Sequence, residues 1–468
     1  MAIPNELLRA ARESSPSRIL PGEPMSRSEL ADAANEYLFT TTGERYDLDR
    51  HQIARYERGE VRWPSAPYRT ALRAVLGADN DASLGFTRGS RSSASTVALP
   101  GGATSEGWEA ASVIATAEEM TRHDVTLSRR QAITAAGGFA AGAALTDPLQ
   151  AWLTPRVAVA RGTVRLNPVE VATWEEIVTR LRRWSAEPAG MLLRKAAIAQ
   201  LSDVNDQLRE VGSGPEARRG FRVAAELASI TGSMSWDAGL HPAAQRYYTL
   251  AVQYAKVADD PALAARCLAA FARQCFDLGH PDDGLELVQL AQYGTRKVAD
   301  PGLRALLATR EAWAYAQLGQ HAPFRRAVLL AEDHFAEYTE STGERSAYGL
   351  DRAELHGVIG ARYRDLAKHE PTHAEEARRH ITAALELRDS GRPRNRAFDL
   401  IALARVHLIT AEPEHACELI HQTLALASDW SKGRVGTKLR DFHGEAAHFG
   451  ALPAVRETRD RIAAVLTA

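Results

Sequence analysis

The sequence predicts an all-α protein, with a small helical head followed by a long C-terminal solenoid of helix pairs. Three observations carry that expectation. Capped, amphipathic stretches of helical length fill the first 84 positions. A stretch rich in Ser, Gly and Thr follows at 87–107. From about residue 161 onward, small residues and prolines recur at forty-residue intervals.

At 468 residues the chain exceeds one compact core, so two or three units are expected. Its 45% apolar and 25% charged content is that of an ordinary soluble protein. A net charge of −2 supplies no global attraction to nucleic acid. Local charge does: between Arg50 and Arg73 six arginines stand against two glutamates. Cys267, Cys275 and Cys417 show no CxxC or other metal spacing, which suits buried thiols in a reducing cytoplasm.

In the head, helices are expected at 5–13, 25–38, 49–59 and 66–76. The first turns Leu7, Leu8 and Ala11 towards a core. In the second, Ser26 and Glu29 form a capping box. Asp49 is a good N-cap for the third, and Gly59 stops it. The head's core is expected to hold Leu30, Ala33, Leu38, Ile53, Tyr56, Leu72 and Leu76. With Leu48, Ile53 and Tyr56 inward, the third helix leaves Arg50, His51, Gln52 and Arg55 on its front. Such a front offers donors to guanine and a bidentate partner to adenine in a major groove. Arg58, Arg62 and Arg69 are then placed for phosphates. Double-stranded DNA is the expected partner.

The residues Leu48, Asp49, Arg50, Ile53, Arg55, Glu57, Arg58, Gly59 and Pro64 form a pattern with a known likeness. It resembles the recognition helix and exit turn of the phage-repressor-like, xenobiotic-response-element (XRE) family of helix-turn-helix proteins. Residues 26–31 (SRSELA) are similar to that family's second helix. The departure is at 36–47 (EYLFTTTGERYD), which adds residues where the family has a short turn.

Beyond the head, 85–107 reads as a flexible linker and 108–160 as connecting helices. Arg129 and Arg130 precede fourteen residues, 132–145, that are apolar apart from Thr134. Twin arginines before an apolar run resemble an export signal. This one is internal, and the run is shorter than the roughly 20 residues a bilayer requires. A helix packed on the next domain is expected instead, with no membrane partner.

In 161–468, Gly239, Gly279 and Gly319 lie forty residues apart, as do Pro261 and Pro301. Small residues at Ala244, Gly284, Ala251, Ala291 and Ala331 let the helices of a pair approach closely. One pair cannot bury its apolar face alone, so consecutive pairs stack. These repeats resemble tetratricopeptide repeats of lengthened period. In that register the first helix of each pair lines a groove, and Trp236, Arg266, Arg273, Asp277, Trp313, Gln317 and Arg405 point into it. Arginine and tryptophan together suit a peptide backbone, a carboxylate or a planar ligand. The opposing reading makes the tryptophans core and the arginines solvated.

His369-Glu370-Pro371-Thr372-His373 matches the zinc-protease string H-E-x-x-H. That chemistry needs an uninterrupted helix, and Pro371 breaks one, so the string is expected in a turn between helices. Phosphate-loop, dinucleotide and nucleophile-elbow strings are absent. No catalysis, cofactor or metal is expected. The whole layout resembles the peptide-sensing repressor–tetratricopeptide regulators of Gram-positive bacteria, in an actinobacterial form. The resemblance implies a cytoplasmic homodimer on an operator, modulated by a peptide or small-molecule effector. The competing expectation is a DNA-anchored scaffold whose solenoid recruits a protein.

Overall fold

The computed structural model describes residues 4–18, 22–42, 46–59, 61, 64–78, 80–86, 105–126, 140–154, 164–184, 190–342, 348–388, 393–426 and 433–467. The chain divides into two compact units, Met1–Ala94 and Ser95–Ala468. Among the described residues there are twenty α-helices, and β-structure is limited to isolated bridges.

The first unit holds α1 (Glu6–Ser14), α2 (Arg27–Thr42), α3 (Arg50–Glu57) and α4 (Ala66–Leu76). Its capping box forms as expected: Glu29 N–H donates to Ser26 Oγ at 3.2 Å, and Ser26 N–H to Glu29 Oε2 at 2.7 Å. Asp49 caps α3 by accepting from Gln52 N–H at 2.7 Å, and Gly59 closes it at φ 70°. Of the expected core, Leu30, Ala33, Leu38, Ile53, Tyr56 and Leu72 are buried, whereas Leu76 is only partly so. Leu7 is a correction. It is 55% exposed, because α1 seats itself through Leu8 and the residue just before it points away. A second correction concerns 36–47. Its first seven residues continue α2, with the Thr40 and Thr41 hydroxyls donating to the Glu36 and Tyr37 carbonyls one turn back. The core also runs past residue 84, since Leu84 and Phe86 are buried and Phe86 meets Tyr56 edge-on at 6.3 Å.

The second unit begins with α5 (Ala110–Thr126), α6 (Ala143–Gln150), α7 (Pro168–Trp184) and α8 (Gly190–Leu208). Six pairs follow. They are α9 (Pro215–Asp237) with α10 (His241–Val257), α11 (Pro261–Asp277) with α12 (Pro281–Thr295), and α13 (Pro301–Gln317) with α14 (His321–Thr342). Then come α15 (Arg352–Ala367) with α16 (Ala374–Leu387), α17 (Pro393–Ile409) with α18 (Pro413–Ala425), and α19 (Gly433–Glu445) with α20 (Pro453–Thr467). Each helix packs on its pair-mate, and the first helix of each pair also packs on the first helix of the next.

The forty-residue pattern has a physical cause. Gly239, Gly279 and Gly319 follow α9, α11 and α13 at φ 78°, 77° and 66°, a left-handed turn that suits glycine. Pro261 and Pro301 open α11 and α13, where a missing N–H costs nothing, behind the capping residues Asp260 and Asp300. Gly284 lets α12 close on α11: a Cβ there would lie 2.2 Å from the Phe276 ring.

The expected connecting helices are part of this unit. Trp108, Val113, Leu145, Leu149 and Trp152 share one core with α7 to α13. The Ala140 backbone exchanges two hydrogen bonds of 2.8 Å with the Gln245 side chain. Of the apolar run, Ala140 and Leu145 pack as expected, while Arg129, Arg130 and residues 131–139 lie outside the described residues, as do 87–104 of the linker. No described helix is long and apolar enough to cross a membrane. All three cysteines are free and buried, as expected.

Candidate nucleic-acid face and ligand groove

The face expected to meet DNA is built on α3. Two clamps hold that helix, and of their residues only Glu57 belongs to the sequence pattern. Glu57, its side chain 2% exposed, accepts from Arg12 Nε of α1 at 2.6 Å and from Arg27 Nε of α2 at 2.7 Å. Asn35 on α2 pairs with the Leu48 backbone in both directions, at 2.8 and 3.0 Å, and fixes how the chain enters α3. With Leu48, Ile53 and Tyr56 buried, Arg50, His51, Arg55 and Arg58 stand exposed, and Gln52 is half-buried. Among the described residues the Gln52 Oε1 has no hydrogen-bond partner. Arg69 is a correction. Its guanidinium is buried, donating to Asp81 at 2.9 Å and to the Pro64 carbonyl, so it braces the head. Arg62 lies outside the described residues.

The first helices of the pairs bring a second set of arginines together. Trp236 and Asp237 end α9, Arg273 and Asp277 lie on α11, and Arg310, Trp313 and Gln317 on α13. Glu354 and Arg362 follow on α15, Arg394 on α17, and Arg434 and Lys438 on α19. The far end of the row returns to its start. Arg434 and Arg394 reach Asp237 at 2.6 and 2.9 Å, and Lys438 reaches Asp277 at 3.3 Å. Burial raises the Asp237 carboxyl, but Arg434 and Arg394 outweigh that and hold it below its ordinary range.

The expected groove residues divide. Arg273, Asp277, Trp236, Trp313 and Gln317 lie on neighbouring first helices, with Arg273 5.8 Å from the Trp236 ring, but both tryptophans are buried, as the opposing reading of them as core expects. Arg434 covers Trp236 at 4.2 Å and Arg362 covers Trp313 at 3.8 Å, so the chain's own guanidiniums occupy the ring faces. Gln317 is tied to the Phe276 carbonyl at 3.0 Å. Arg266 lies towards the other end of α11, 3.6 Å from Glu226 and over the Tyr348 ring at 5.2 Å. Arg405 is a further correction: it is buried and committed to Glu445 and Asp441 at 2.5 and 3.4 Å.

What remains is an excess of cation. Asp237 serves Arg434 and Arg394, and Asp277 serves Lys438. Glu354 serves Arg388 at 2.9 Å, and Asp365 serves Arg362 at 3.2 Å and also Arg364. Among the described residues no carboxylate lies at ion-pair distance from Arg273 or Arg310. Burial lowers the Arg273 guanidinium, with Arg434 adding to it. It brings Arg310 down to about 9, with Arg273 next in effect, and Arg362 to about 10. Among the described residues the Nε–H groups of Arg273, Arg310 and Arg362 and the indole N–H of Trp313 find no acceptor. Arg310 escaped sequence reasoning because its position on α13 carries no local signal. An unpaired buried cation costs free energy that an anionic ligand would recover.

Fold and site together define a class: an all-helical protein of stacked helix pairs whose inner face collects unmatched hydrogen-bond donors. No protein-family model, curated protein or solved structure matches the chain.

Proposed function

We propose that this chain is a sequence-specific, DNA-binding transcriptional regulator whose helix-pair unit senses a small ligand and pairs two chains. The observation that carries the reading is α3. It is a capped helix, clamped by Glu57 and Asn35, whose outward residues are Arg50, His51, Gln52, Arg55 and Arg58. Donor-rich side chains on a rigid helix are the means of reading base edges, and neighbouring arginines set the register on phosphates. The reading assigns no catalytic step to the chain.

For the sensor, the unmatched donors of Arg273, Arg310, Arg362 and Trp313 favour a ligand bearing acceptor oxygens, a carboxylate or phosphate. A single head reaches one half-site, so a dimer would raise affinity by making the second contact intramolecular. A ligand shifts that equilibrium only as far as it binds the two forms unequally.

Footprinting the purified full chain across genomic DNA, with and without a small-molecule extract, tests the reading. One operator class is expected, with affinity shifted by the extract. Arg55→Ala should cost roughly 1–3 kcal/mol at that operator and relax its sequence preference. Equal binding of operator and random DNA by parent and variant would remove α3 as the reader.

A further inference from the structure

The broken H-E-x-x-H string has a partner that the sequence does not announce. Glu370 and His373 occupy the turn before α16, with Pro371–His373 a single 3-10 turn. There they meet His321, the first residue of α14, from the preceding helix pair. His321 Nδ1 lies 3.2 Å from His373 Nε2. Glu370 presents one carboxylate oxygen 3.4 Å from His321 Nε2 and the other 3.5 Å from His373 Nε2. The two imidazoles stack with centroids 5.2 Å apart, and one ligand atom from each of the three residues fits within 4.8 Å.

Those spacings have a meaning. A tetrahedral ion with ligand bonds of about 2.0–2.1 Å has ligand-to-ligand edges of about 3.3–3.4 Å. The contacts involve both nitrogens of His321 and both oxygens of Glu370. With one ligand atom taken from each residue, the three lie within 4.8 Å of one another, so side-chain rotation alone is needed to bring them to the edges of one face of such a tetrahedron. Two imidazoles and a carboxylate favour borderline divalent ions such as zinc over calcium or magnesium, which take oxygen. Glu370 is 56% exposed, which gives an ion a path from solvent and leaves water as the fourth ligand. His369, the first histidine of the string, is exposed and is not among these donors.

We infer that His321, Glu370 and His373 form a zinc-class metal site that staples the α13–α14 pair to the α15–α16 pair. The ligands come from two successive repeats, so the ion fixes the step between them. The sequence string thus supplies two of the three ligands of a metal site, but not the helical site that its spacing advertises. This inference stands independently of DNA binding and of the arginine groove.

The test uses untagged full chain, stripped by chelator and titrated with zinc chloride in a calorimeter, then with cobalt(II) followed by visible absorption. One ion per chain is expected, with the cobalt spectrum of a tetrahedral site. Zinc should raise the melting midpoint, and chelator should reverse the rise. His321→Ala and His373→Ala should each weaken binding at least tenfold, while His369→Ala leaves it unchanged. Circular dichroism checks that each variant is folded, and His321→Gln serves as a second variant should His321→Ala not be. Failure of the parent to bind zinc would overturn the site. So would undiminished binding by folded His321 variants, or loss of binding in His369→Ala.

Discussion

The two units both gather arginines, and they do so in opposite surroundings. On α3 and its C-cap, Arg50, Arg55 and Arg58 are exposed residues on a helix whose back is apolar. Along the inner helices Arg310 and Arg362 are buried, and burial lowers both. Water reaches the exposed set, so removing Arg50 costs the fold little, and the attraction of such groups for phosphate is screened by salt. Protein encloses the second set. There each cation must be answered by a carboxylate or remain a liability, and salt hardly reaches it. An arginine's role is therefore set by what surrounds its guanidinium, which a count of arginines does not reveal.

The sharpest way to break this contrast lies inside the head, where one carboxylate answers enclosed charge. Glu57 sits between Arg12, itself buried, and Arg27. Glu57→Ala removes the enclosed partner of the Arg12 guanidinium, leaving it the half-exposed Glu13 at 3.1 Å and the Met25 carbonyl at 2.8 Å, and should destabilise the head by about 3 kcal/mol. Hydrogen exchange at Leu30 and Ile53 amides reads the loss. Protection equal to the parent's would mean that Arg12 finds water, and that the head treats buried and exposed cations alike.

The same distinction explains what the sequence did and did not disclose. The bounds of α4 match those expected, and the caps at Ser26, Asp49 and Gly59 follow from residue chemistry within a few positions. The forty-residue repeat was legible for the same reason, since each glycine and proline acts on its own turn. Long polar side chains were not legible. Arg69 looked like a phosphate contact until Asp81, on the chain after α4, claimed it. Arg405 looked like a groove residue until Glu445 closed on it. Trp236 is covered by Arg434, nearly two hundred positions away, because the stacked pairs return on themselves. No periodicity encodes such a meeting. Asn35 is silent likewise, and Glu57 stands in the pattern without its clamping role, because the partners of both lie on other elements.

A second, smaller effect has the opposite sign. Arg310 is 6% exposed, and among the described residues it has no carboxylate partner and donates only to Thr309 Oγ1 at 3.2 Å. Replacing a buried unmatched cation with an apolar chain of similar length relieves its desolvation. Arg310→Met should therefore stabilise the second unit by about 2 kcal/mol while abolishing the response to an anionic ligand. Thermal melting and ligand titration on the same preparation check both halves. A variant that is less stable than the parent would show that the guanidinium is already satisfied and that the groove is structural.

The smallest expected effect sharpens the contrast from the exposed side. Arg50 opens α3 in solvent, and its only described hydrogen-bond contact is a long one of 3.4 Å to His51. It also sits at the helix N-terminus, where the backbone dipole disfavours a cation, so it contributes nothing to holding α3 in place. Arg50→Ala should leave the melting midpoint of the head within measurement error of the parent's. Its effect should appear only with DNA present, and there as an electrostatic one. Losing a single phosphate-neutralising charge lowers the slope of log affinity against log salt by about one. If Arg50 instead contacts a base edge, the slope stays nearly constant and the operator preference relaxes at one position. Measuring affinity for operator and random DNA across a salt series separates these outcomes. A change in the melting midpoint comparable to that of Glu57→Ala would sink the contrast, because an exposed arginine would then be bracing the fold as an enclosed one does.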